Sequence, residues 1–96
     1  MEQIQYFLQT AIHQYSIQNY EVALNVVNQA HRLLEGFAPG NPLSLEFDVI
    51  YILSSVEEKR DSEKTILIFL RITNSFGALA IQTLLKYCHV RIFNPI

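Results

Sequence analysis

Phe7-Leu8-Gln9-Thr10-Ala11, a polar break at Ile17-Gln18-Asn19, and Tyr20-Glu21-Val22-Ala23 leading through Val27 to Ala30 decide how this chain is read. Phe7 and Ala11 lie four apart, and Tyr20, Ala23, Val27 and Ala30 recur at three or four. Those spacings put each set on one face of a helix. Two antiparallel helices joined at the break would meet with small Ala11 opposite small Ala23, which permits close approach. Phe7, Tyr20 and Val27 would then fill the space on either side.

The order large, small, turn, large, small, large, small resembles a tetratricopeptide helix pair. Six of that motif's eight usual positions fit. Thr10 and Gln14 depart from it, where a large apolar residue and an aromatic are expected.

Working outward, the 96 residues make a single domain, 1–96. Half of them are hydrophobic and 17% are charged, and mean hydropathy is +0.17. A small soluble domain normally carries about a quarter of its residues charged. A chain this short cannot hide so many large side chains, so part of the apolar surface is expected to meet a partner. No aliphatic and aromatic run is longer than Ile66-Leu67-Ile68-Phe69-Leu70, far below the roughly 20 residues that span a bilayer. Met1-Glu2-Gln3 opens without a basic or hydrophobic signal segment, and Cys88 is the single cysteine. Both features lead to the expectation of a reducing, cytoplasmic setting.

Charge is distributed unevenly. Residues 1–63 hold all nine acidic residues against Arg32, Lys59 and Arg60, a net of −6. Residues 64–96 hold Lys64, Arg71, Lys86 and Arg91 and no acid, a net of +4. Four dispersed cations without stacking aromatics do not make a nucleic-acid surface.

Helix 1 is expected over about 4–16, with Ile4, Phe7, Leu8, Ala11, Ile12 and Tyr15 on a wide apolar stripe. Leu8, Ile12 and Tyr15 form a second edge of that stripe, either core or the lining of a groove. Helix 2 is expected over about 19–35 and closes the first hairpin, 4–35. Gly36 supplies a C-cap, and 36–42 is the one clear linker. Asn41 and Pro42 suit the N-cap and first turn of helix 3. That helix has Leu43, Phe47, Ile50, Tyr51 and Ser54 on one face and Val49, Ile52, Leu53 and Val56 on another, so contacts are expected on both sides. It decays into solvated Glu57-Glu58-Lys59-Arg60. Asp61 or Ser62 caps helix 4, whose Thr65, Phe69 and Ile72 take the places of Ala23, Val27 and Ala30 in a second hairpin, 43–73. Asn74-Ser75 caps a last helix, 75–93, that is apolar nearly all round.

No catalytic or metal constellation emerges. His13, His31 and His89 lack metal-ligand spacing. Adjacent Cys88 and His89 point about 100° apart on a helix. Gly36, Gly40 and Gly77 are scattered and form no phosphate loop. The chain is therefore not expected to be an enzyme or to take a cofactor, a metal or a small-molecule substrate.

A hairpin with Asn19-Tyr20 at its turn and Ala23 after it, then Leu53-Ser54-Ser55-Val56, then the charged turn Lys59-Arg60-Asp61 and two more helices, resembles a particular family. These are the small tetratricopeptide-like chaperones that hold the needle subunit of bacterial type III secretion systems. The likeness covers about residues 8–90; Ser62 and Thr65 depart from the aromatic-then-alanine pattern expected after Asp61. The resemblance implies an all-α fold, a right-handed stack of about five antiparallel helices. It implies a non-catalytic protein of the bacterial cytoplasm that buries the amphipathic C-terminal helix of the needle subunit in its concave face. It also implies a second partner, a small helical co-chaperone, in a three-protein complex.

In a tetratricopeptide array the first helix of each pair lines the concave face. The positions matching that rule are Leu8, Ile12, Tyr15, Phe47, Ile50, Tyr51, Ile81, Leu84 and Leu85, which would cover the ligand's apolar stripe. Leu8, Ile50 and Leu84 are accordingly expected to be partly exposed without ligand, and Phe7, Val27 and Phe69 to be buried. Two other readings use the same apolar excess: a tetratricopeptide-like adaptor for a different peptide, and a self-associating structural domain.

Overall fold

A computed structural model describes residues 2–34, 42–60 and 62–93, with side chains described from 3 to 88 within those ranges. Five helices follow one another: α1 (Glu2–Ser16), α2 (Tyr20–Leu34), α3 (Pro42–Glu58), α4 (Ser62–Phe76) and α5 (Ala78–Phe93). The described residues are all-α and contain no strand. The expected caps at Gly36, Asn41 and Asp61, and the linker before Pro42, lie outside them.

The first hairpin forms as its spacing requires. Ala11, Ala23, Val27 and Ala30 have no exposed surface, and the Tyr15 and Tyr20 rings meet 5.7 Å apart beside the turn. Both departures from the tetratricopeptide pattern find local partners. Thr10 turns its hydroxyl back to the Tyr6 carbonyl (2.9 Å), satisfying a polar group within the helix. Gln14 Oε1 accepts a hydrogen bond from Asn19 Nδ2 (2.9 Å), so the side chain braces the turn.

Two turns are built alike. Gln18 (φ 67°) and Lys59 (φ 54°) each adopt the left-handed conformation just past a helix end. Gln18 N–H donates to the Tyr15 carbonyl and Asn19 N–H to that of Gln14; Lys59 and Arg60 repeat this with Val56 and Ser55. The paired bonds satisfy carbonyls that the last helical turn leaves open, with Gln and Lys where glycine is usual. The joint between α4 and α5 falls at Gly77 (φ 58°). Asn74 and Ser75 therefore do not cap α5, because α4 continues through Phe76. The chain breaks instead at the one nearby residue that enters the left-handed region without strain.

Helix α3 is the hub. It contacts α1, α2, α4 and α5, and its buried residues run from Leu45 to Ser55 on every side. The contacts expected on both its faces are present. The inward face of α4 is Thr65, Ile68 and Ile72. Phe69, expected to be buried, is 37% exposed; the three-then-four spacing runs through Ile68 instead.

Candidate functional site

The nine positions expected to line a groove separate into two groups. Leu8, Tyr15, Phe47, Ile50 and Tyr51 are buried, and Ile12 is half-buried. Ile81 and Leu85 on α5 are exposed, and Leu84 is half-buried. The expectation that Leu8 and Ile50 are partly exposed is therefore corrected: both belong to the core. The physical reason is that α1, α3 and α5 contact one another pairwise. In an open solenoid a repeat touches only its neighbours. Here α5 also reaches α1, and the sides of α1 and α3 that would face a ligand are covered.

Large apolar side chains instead reach solvent on the outer side of α4. Ile66, Leu67 and Leu70 lie away from the buried Thr65–Ile68–Ile72 face, and Leu67 is 67% exposed. Ile66 and the exposed Val56 also wall an open depression of about 440 Å³ between the end of α3 and the start of α4. On α5, Leu79 and Leu85 are exposed as well. A 3.6-residue period could have found this face, since Ile66 and Leu70 are four apart and cannot join Ile68 and Ile72.

Two polar networks tie this region to α3. Asp48, buried in the middle of α3, accepts from His31 Nε2 of α2 at 2.9 Å and from Arg71 Nη2 of α4 at 2.8 Å. Its charge is thus hydrogen-bonded at both oxygens, as burial requires. Arg71 remains 60% exposed. Glu46 accepts from the Tyr87 hydroxyl at 3.0 Å and lies 3.6 Å from Lys86 Nζ, both on α5. Burial, then the nearby Glu46 charge, then that hydrogen bond push the Tyr87 phenol well above its ordinary range. Sequence reading passed over Asp48 and Glu46. The signal was present: Asp48 interrupts the apolar stretch from Phe47 to Leu53 and demands a partner.

Among the described residues, no group of three or more His, Cys, Asp or Glu is placed to hold a metal ion. None of the described helices is long and apolar enough to cross a membrane. Comparison with family models, with characterised proteins and with solved structures found no match to this chain.

Proposed function

We propose that the chain is a non-catalytic chaperone of the bacterial cytoplasm. It covers the amphipathic C-terminal helix of a type III secretion needle subunit, alongside a small helical co-chaperone, and so prevents premature polymerisation. The observation carrying this reading is the exposed apolar surface on α4 and α5, at Ile66, Leu67, Leu70, Ile81 and Leu85. Clusters of large apolar side chains in water are characteristic of surfaces that bind partners. The sequence resemblance supplies the identity of the partner. A tetratricopeptide-like right-handed stack is part of the proposal; the full burial of Ala11 and Ala23 and the contacts of α3 with α1, α2, α4 and α5 support it. With the expected lining of α1 and α3 in the core, the ligand helix engages α4 and α5.

Co-expression with a needle subunit tests the proposal. The expected result is a stable 1:1 complex, or a 1:1:1 complex with the co-chaperone, that melts above the free chain by mass action. A chain that purifies only with itself, leaving the needle subunit to polymerise, overturns it and favours the self-associating domain.

A further inference from the structure

We propose that the outer face of α4 docks an amphipathic helix carrying two acidic residues seven positions apart along one edge of its apolar stripe. The inference rests on the chain being a partner-binding module and specifies the chemistry of the partner. Leu67 and Leu70 give the apolar floor, extended by Ile66 toward the depression it shares with Val56. Lys64 and Arg71 stand along one edge of that floor. Leu67 lies between them, three residues after the first and four before the second, so all three share a side of the helix. The two cations are two turns apart, a rise of about 10.5 Å.

Both cations are held from beneath by α3. The Lys64 ammonium lies 5.0 Å from the centre of the Tyr51 ring, and Arg71 is anchored to buried Asp48. The exposed remainder of the Arg71 guanidinium presents further N–H donors in a fixed fork that suits a carboxylate. Fixing these side chains in advance lowers the ordering cost of a partner's acids. Glu63, at the N-terminal end of the same stripe, disfavours a third acid there. A second copy docked antiparallel about a two-fold axis would place Lys64 beside Arg71, like charge against like along the edge, and would offer from this face a single acid, Glu63, against those two cations. The partner is therefore a different, acidic helix.

Two labelled 18-residue helical peptides test this on the full chain. Both carry the same leucine stripe; one has glutamates seven apart on an edge, the other lysines there. By fluorescence anisotropy the glutamate peptide is expected to bind about tenfold tighter, with the difference shrinking as salt is raised. Lys64→Glu should erase that preference. Leu67→Glu should abolish binding of both peptides while helical circular dichroism is retained. Equal binding of the two peptides, no binding of either, or an unchanged preference in Lys64→Glu overturns the proposal. A dimer that Leu67→Glu converts to monomer also overturns it, by making a second copy the occupant. Needle-subunit capture separates this inference from the chaperone reading. Capture unaffected by Lys64→Glu and Leu67→Glu refutes the docking face alone. Peptide selectivity without capture refutes the chaperone reading alone.

Discussion

Asp48 shows how one residue sets the terms for its neighbours. A carboxylate buried on a helix otherwise made of apolar side chains persists only because α2 and α4 each send it a donor. Removing a donor is worse than removing the acid, because it leaves a buried charge half-compensated. Arg71→Leu is therefore expected to lower stability by about 2–3 kcal/mol, and adding Asp48→Asn should restore part of that loss. Urea unfolding of the two variants measures this directly, and a double variant no more stable than Arg71→Leu would contradict it. The charge asymmetry of the sequence takes on meaning here. Acids of α3 meet bases of α4 and α5 at Asp48–Arg71 and Glu46–Lys86, so part of the imbalance is spent inside the domain. Charge counts could show the asymmetry but not the pairings, which for Asp48–Arg71 join residues 23 positions apart.

At the scale of the element, periodicity recovered most of the architecture. Five helices among the described residues, the burial of Ala11 and Ala23 and the two-sided burial of α3 follow from spacing. The start of α5 did not, because Asn74-Ser75 reads as a cap while the backbone break depends on Gly77. The inner face of α4 was displaced by one residue, from Phe69 to Ile68. An apolar run such as Ile66–Leu70 fits several registers until a neighbour is present. The matching turns at Gln18 and Lys59 offer a clean test of local strain. A non-glycine residue in the left-handed region costs roughly 1–2 kcal/mol. Gln18→Gly should recover up to about 1 kcal/mol of that, offset in part by the greater freedom of glycine in the unfolded chain. Thermal unfolding reads the change; a clear loss of stability would mean that the Gln18 side chain contributes more than its backbone strain costs.

For the whole molecule, the lining of a groove was the least legible feature. Helical period tells which residues share a face and therefore share a cover. It does not tell whether the cover is the same chain or another protein. Leu8 and Ile50 illustrate the difference: they hold groove positions by pattern, yet α1, α3 and α5 close on one another. The expected outcome of mutagenesis follows the structure. Leu8→Glu and Ile50→Glu should lose cooperative unfolding, because each strands a charge in the core. Leu67→Glu should melt close to the parent chain. Circular dichroism melts decide it: if Leu8→Glu folds as well as Leu67→Glu does, the core is not closed as described.

The hub position of α3 also bears on how the chain comes off the ribosome. Synthesis runs from the N-terminus, so α1 and α2 emerge before the helices that cover them. Once Leu34 has emerged, the α1–α2 pair can close but still shows water the sides that α3 will cover. Once Glu58 has followed, those sides are covered and α3 presents a finished platform. Helices α4 and α5 then arrive one after the other on a surface that already exists, and each finds its main contact in chain already made. The nascent domain can thus grow by accretion, with α1, α3 and α4 each gaining their contacts to α5 last.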